Sequence, residues 1–199
     1  PSSPGPCAST TKPRTSPAVA EVHLDDCNGC GRCADDCPYS AIMMYPRQDG
    51  RPHLWQPVVD PDLCSSCGIC VGACPSSMPF RSGELVSGIE LPHSELAALR
   101  ADIDRALTLL RGEARVMVFG CERAFDVRAL RSEGVAALAL PCIGMLPPAF
   151  IDYVLRDAHV DGVMVAGCRE GDCQYRLGIG WTESRMARQR VPHLRQRVP

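Results

Sequence analysis

Two short stretches hold the densest chemistry in this chain of 199 residues. "CNGCGRCADDCP" begins at Cys27 and "CSSCGICVGACP" begins at Cys64, and each reads C-x-x-C-x-x-C-x-x-x-C-P. Soft thiolates suit iron in a cubane. At this spacing three cysteines wrap one [4Fe–4S] cluster and the fourth crosses to the other. On that rule Cys27, Cys30, Cys33 and Cys74 hold a first cluster, and Cys64, Cys67, Cys70 and Cys37 a second. Pro38 and Pro75 turn the chain away after each crossing ligand, and Gly29, Gly31, Gly68 and Gly72 would let backbone N–H groups approach cluster sulfur. Zinc has no use for a third and fourth cysteine at this repeated spacing. Disulfides need an oxidising compartment, and no signal peptide is visible at the first residues.

Of the thirteen cysteines, five remain: Cys7, Cys121, Cys142, Cys168 and Cys173. Cys7 is expected to be a free thiol in a linker. The other four follow a pattern of elements. "ARVMVFG", "VAALAL" and "DGVMVAG" are unbroken apolar runs that read as strands, and "ERAFDVRALRSEG" and "PPAFIDYVLRDAH" read as the helices between them. Such alternation predicts a parallel sheet with helices on its faces. Cys121, Cys142 and Cys168 then follow three successive strands, and Cys173 is expected to open the next helix. Strand ends of a parallel sheet share one edge, where open α/β folds bind ligands. A helix N-terminus there favours an anionic group. Four thiols at one point match the requirement of a [2Fe–2S] cluster. The alternatives are four buried cysteines acting as small hydrophobes, or a redox disulfide between Cys168 and Cys173, whose spacing is not C-x-x-C.

These sites must be positioned by a chain with a definite order. Residues 1–19 are rich in Pro, Ser and Thr and read as an extended linker. Residues 20–80 form the repeat unit, with "AIMMYP" and "HLWQPVVD" as strands around the turn "RQDGR". Residues 81–112 are a connector and a helix, "SELAALRADIDRALTLLRG", with Ser94 as N-cap and Leu96, Leu99, Ile103, Leu107 and Leu110 at helical spacing. Residues 113–190 form the α/β unit, and residues 191–199 a basic tail. The expected fold class is an α+β ferredoxin-like two-cluster domain plus an α/β domain with a small parallel sheet.

Charge bounds the partners. Residues 20–80 carry eight acids and three bases, net −5, whereas the last fifteen residues carry Arg185, Arg188, Arg190, Arg195 and Arg197 and no acid. An acidic unit repels a phosphate backbone, so nucleic acid is not expected. The basic end reads either as a docking element or as a solvated helix end. No run of eighteen apolar residues occurs, so no membrane span is expected. A Pro-rich start without Met suggests that something precedes residue 1, and one arrangement is a tether to a membrane domain. The expected location is cytoplasmic, including the cytoplasmic face of the membrane. His23, His53, His93, His159 and His193 are scattered, and neither a G-x-G-x-x-G opening a helix nor a P-loop is present. No catalytic residues are assigned.

Residues 20–80 resemble the two-[4Fe–4S] bacterial-type ferredoxins, with a longer Cys37-to-Cys64 connection than the smallest members and hence an extended hairpin. Residues 113–186 resemble the iron–sulfur delta subunit of methyl-viologen-reducing hydrogenase, the partner of heterodisulfide reductase, through "VMVFGC", "LPCIG" and "DGVMVAGCREGDCQYRLG". The resemblance implies a [2Fe–2S] cluster and electron delivery to a flavin-bearing subunit. Two positions depart from the family pattern: Ala124 stands where a second cysteine of C-x-x-C is usual, and Met145 where an Arg is usual. "YRLGIGWTESR" fits a bacterial offshoot, so the donor need not be a hydrogenase. The expected role is an electron-transfer subunit without its own substrate site. It would relay single electrons between a hydrogenase-like donor and a flavoprotein of heterodisulfide-reductase type, or a haem-containing membrane cytochrome. The alternatives are an iron–sulfur redox sensor or scaffold, and a thiol–disulfide reductase using Cys168 and Cys173.

Overall fold

The computed structural model describes residues 18–80, 85, 87–156 and 160–196. Cys7, His159 and Arg197 lie outside them. The first unit is built on β1 (Glu21–Val22), α1 (Arg32–Asp35), β2 (Ile42–Pro46), β3 (Trp55–Val59), α2 (Ile69–Ala73) and β4 (Ile89–Glu90). Strands β2 and β3 form an antiparallel hairpin with Ile42 opposite Val59 and Pro46 opposite Trp55, and β1 pairs with β4. The α1 and α2 helices occupy equivalent places in the two motif copies, each entered through a left-handed glycine, Gly31 at φ 78° and Gly68 at φ 74°. Only glycine adopts that conformation without a Cβ penalty. The chain can therefore turn sharply between the second and third cysteine of each run.

α3 (Leu96–Thr108) leads into the second unit and buries Leu96, Leu99 and Ile103, the stripe read from the sequence. Its N-cap position is Glu95, one residue past Ser94. Then come β5 (Val116–Cys121), β6 (Val135–Leu140), α4 (Pro148–Arg156), β7 (Gly162–Ala166) and α5 (Gly178–Met186). The three strands form a parallel sheet in the order β6-β5-β7, with Val118 beside Ala137 and Met164. The parallel sheet read from the apolar runs is present. The expected helix over residues 122–134 is not. That segment makes only a 3₁₀ turn at Val127–Leu130. Asp126 accepts the Arg128 backbone N–H at 3.1 Å, a local bond that competes with helix, and Val127 plugs the surface over Gly120. Phe125 and Leu130 stay exposed.

The two units are not beads on a string. One contiguous apolar cluster runs from Ala20, Cys33 and Ile42 through Val71, Leu91 and Ile103 to Phe119, Met145 and Val154. At their seam the backbones meet: a Cβ on Gly72 would collide with the Gly144 carbonyl and lie 2.7 Å from Arg185 Nη1. A Cβ on Gly68 would lie 2.8 Å from the Met145 side chain. Gly68 and Gly72 thus allow close packing of the α/β unit against α2, a use beyond the sulfur approach expected of them. Among the described residues no helix is long and apolar enough to cross a membrane.

Candidate iron–sulfur sites and their seam

None of the twelve motif cysteines that the structure describes forms a disulfide. Cys27, Cys30, Cys33 and Cys74 line one cavity, together with Met44 and Pro57 from the hairpin. Cys37, Cys64, Cys67 and Cys70 line another, together with Tyr39 and Ile42. These are the two crossed sets drawn from the motif, each with three cysteines of one run and the last cysteine of the other. Backbone donors already reach the sulfurs: Gly29 N–H donates to Cys27 Sγ at 3.4 Å and Ala41 N–H to Cys37 Sγ at 3.3 Å. Arg47, its side chain 2 % exposed, clamps the hairpin to the first loop by donating to the Cys27 and Leu24 carbonyls at 3.1 Å each.

Burial sets the electrostatics of these thiols. Desolvation, with the neighbouring Cys74 second, pushes Cys33 up to about 12. Burial also raises Cys27 and Cys67, and lifts Cys70 well above its ordinary value. Four thiolates in an apolar cavity are costly unless a positive centre compensates them. The donor set therefore fits an iron–sulfur core: soft ligands, apolar walls and backbone N–H groups aimed at sulfur. Among the described residues no three His, Cys, Asp or Glu side chains converge on a point that could hold a single metal ion.

At the sheet edge, Cys121 ends β5, Cys142 follows β6 by two residues, and Cys168 follows β7 by two. Cys168 Sγ lies 3.6 Å from Cys121 Sγ. The coupling of the Cys142 and Cys121 thiols shifts Cys121 below the ordinary thiol range and Cys142 above it, with burial also raising Cys142. Cys173 does not open a helix as expected, because α5 begins at Gly178. The chain reaches it through Arg176, a non-glycine residue at φ 62°. The first residue of α5 nevertheless meets the thiols. A Cβ on Gly178 would collide with Cys142 Sγ and lie 3.4 Å from Cys173 Sγ. All four thiols thus surround the sheet edge and the start of α5.

The sequence missed the element that joins this edge to the first unit. Arg185, 1 % exposed, donates to the Asp36 carboxylate, to the Gly144 carbonyl at 2.8 Å and to the Ile69 carbonyl at 3.5 Å. Arg190 donates to the second carboxylate oxygen of Asp36 at 2.7 Å and stacks 3.4 Å over the Trp181 ring, whose Nε1 donates to the Asp36 carbonyl at 3.2 Å. Burial lowers the Arg185 pKa, and the Asp36 charge opposes that shift. The arginines read as a docking element or a solvated end are thus in large part docked on the chain itself. A signal was present: Gly178, Thr182 and Arg185 recur at helical spacing and form the buried face of α5. Across this seam Cys67, Ile69, Cys142 and Tyr175 form one apolar cluster.

The fold thus joins a unit with two cysteine-lined cavities to a small parallel-sheet unit with thiols at its edge. Comparison with known families supports both halves. Residues 26–78 match the 4Fe-4S dicluster domain, and residues 120–194 match the methyl-viologen-reducing hydrogenase delta subunit, in the order expected from the motifs. The chain is also similar to a probable ferredoxin of Methanosarcina thermophila, 54 % identical over 26 residues, which cover 13 % of this chain and 45 % of that protein. The chain thus spans less than half the length of that relative.

Proposed function

We propose that the chain is a three-centre electron relay. Cys27, Cys30, Cys33 and Cys74 hold one [4Fe–4S] cluster, Cys64, Cys67, Cys70 and Cys37 a second, and Cys121, Cys142, Cys168 and Cys173 a [2Fe–2S] cluster. The observation that carries the reading is the seam. Cys67 of the second set and Cys142 of the third share the apolar cluster around Ile69. Electron transfer falls steeply with distance, so this contact makes the second set the junction between the two units. The chain supplies no substrate chemistry. Its own residues exclude water, hold the sulfurs and fix the spacing. The physiological terminus is a flavoprotein of heterodisulfide-reductase type or a haem-bearing cytochrome, with a hydrogenase-like or other donor at the opposite end. The module works in the cytoplasm, free or at the cytoplasmic face of the membrane.

Iron and acid-labile sulfide per chain, measured after anaerobic purification together with EPR of the reduced protein, test this. About ten iron is expected, the sum of two cubanes and one [2Fe–2S]. Cys142→Ser should remove only the [2Fe–2S] signal. About eight iron with cubane signals alone would overturn the third centre.

One observation favours a second reading of the sheet edge. The close thiol pair is Cys121 with Cys168 at 3.6 Å, so a thiol–disulfide reductase would use that pair, where the sequence suggested Cys168 with Cys173. Peptide mapping after mild oxidation of iron-free protein identifies which pair cross-links. A reductase activity that survives iron removal and is lost in Cys168→Ser would favour this reading over the relay.

A further inference from the structure

The β2–β3 hairpin carries large apolar side chains on both faces, with Gln56 opposite Tyr45 as the polar residue of the outer strand pairs. A hairpin with one face on a core normally turns polar residues outward. Here Met44 and Pro57, opposite each other in register, line the cavity of Cys27, Cys30, Cys33 and Cys74. The neighbouring register pair, Met43 and Val58, faces out, and with Tyr45 and Leu54 these side chains are 44 to 76 % exposed. Trp55, 48 % exposed, pairs with Pro46 and so lies on the cavity-side face instead, and its backbone packs on Gly29 of the first cysteine loop. Four of the eleven exposed large hydrophobics among the described residues lie on this one face of the hairpin, so the patch is not the usual scatter.

Its surroundings define what would cover it. Residues 20–80 carry a net charge of −5. The two bases of the hairpin are engaged with acids, Arg47 with Asp49 and Arg51 with Asp25. With Asp36 set aside, since Arg185 and Arg190 close on it, a second copy would still bring seven acids and three bases against the same set, which disfavours self-association. The opposite end of the unit is taken, because α2 packs against Gly144 and Met145 of the α/β unit.

We propose that the outer face of this hairpin docks a one-electron redox protein that presents an apolar patch ringed by lysines and arginines. The set of Cys27, Cys30, Cys33 and Cys74 beneath it is then the electron port. The port function rests on the electron-relay reading above; the docking face does not. In the transfer one electron leaves the reduced iron centre and reduces the partner's oxidised centre by one, with no bond made or broken and no proton moved. The relay thus has two different ends, the hairpin for an exchanging partner and the sheet edge for the fixed one.

Ferricytochrome c, a basic protein with an exposed haem edge, serves as the probe. Its binding to the full chain is read by titration calorimetry at low and high salt, and its reduction by the dithionite-reduced chain by stopped flow. Binding should weaken with salt, because complementary surface charges are screened. The double variant Met43→Gln/Val58→Thr should weaken it about tenfold, the effect of exposing about one buried apolar side chain. Leu109→Gln, at an exposed apolar position on the other unit, should leave it unchanged. Iron and sulfide content should match the wild type in all variants. Salt-independent binding, no binding, or equal affinity of the double variant overturns the proposal. So does a wild-type dimer in sedimentation that the double variant dissociates. Salt- and variant-sensitive binding without haem reduction keeps the docking face and overturns the relay.

Discussion

Arg185 of α5 places its buried guanidinium against the carboxylate of Asp36, at the end of α1, so one ion pair spans the two units 149 residues apart in sequence. Asp36 immediately precedes Cys37, and the same guanidinium reaches the Ile69 carbonyl between Cys67 and Cys70. Removing the carboxylate leaves a buried cation without its partner, a loss typically worth about 3–5 kcal/mol. Asp36→Ala should therefore lower the thermal midpoint strongly and split one unfolding transition into two. Replacing both partners together, Asp36→Leu with Arg185→Met, should recover most of that loss, because a well-packed apolar pair of similar volume is often as stable as a buried ion pair. A double-mutant cycle by calorimetry measures the coupling. Near-zero coupling would mean that the seam is held by apolar packing alone.

Glycine placement predicts opposite signs at two nearby positions. Gly72 has no room for a methyl group between the Gly144 carbonyl and Arg185, whereas a Cβ on Gly180 in α5 would meet nothing within 4 Å. Gly72→Ala should destabilise by about 1–3 kcal/mol through overpacking. Gly180→Ala should stabilise by about 0.5–1 kcal/mol, since glycine inside a helix costs conformational entropy. Denaturant titration of both variants checks the pair.

Met145 explains one departure from the hydrogenase-delta pattern. It is fully buried and lies over Gly68 of the first unit. An arginine at that position would be a charge in an apolar seam, costing about 3 kcal/mol or more without a partner. Met145→Arg should thus open the seam and expose it to limited proteolysis, while the cubane EPR signals persist. A variant as protease-resistant as the wild type would mean that a carboxylate or carbonyl can turn to meet the guanidinium.

Much of this was legible because it is local. A C-x-x-C-x-x-C-x-x-x-C-P run constrains its own loop, and each of the two cavities is lined by three cysteines of one run and the last cysteine of the other. Unbroken apolar runs announce a parallel sheet, and "VMVFG" in its central strand is buried on both faces, while "VAALAL" and "VMVA" beside it are only partly buried. The illegible parts are contests or long-range contacts. The expected helix over residues 122–134 lost to the Asp126 turn and to the seating of Val127 on Gly120. The charge asymmetry pointed towards partners or solvent because nothing local shows that Arg185 and Arg190 close on Asp36. α5 starts at Gly178 and not at Cys173, because the turn through Arg176 comes first.

The buried thiols give a pH dependence that is sharpest once iron is removed. In the metal-free chain Cys33 titrates only near 12, against an ordinary value near 9, chiefly because burial disfavours its thiolate. The folded state then holds this proton more tightly than the unfolded state does. Stability from this thiol is fully present below pH 9 and is lost as pH rises from 9 towards 12. Three pH units correspond to about 4 kcal/mol at most for this group, and Cys27, Cys67 and Cys70 shift in the same direction. Chelator-treated protein should therefore lose helical ellipticity steeply between pH 9 and 11 while remaining folded at pH 7. The iron-loaded protein, whose sulfurs are already deprotonated and compensated, should show no such slope. Parallel pH titrations of both forms by circular dichroism make the comparison. Identical slopes would mean that these thiols do not control stability in the metal-free chain.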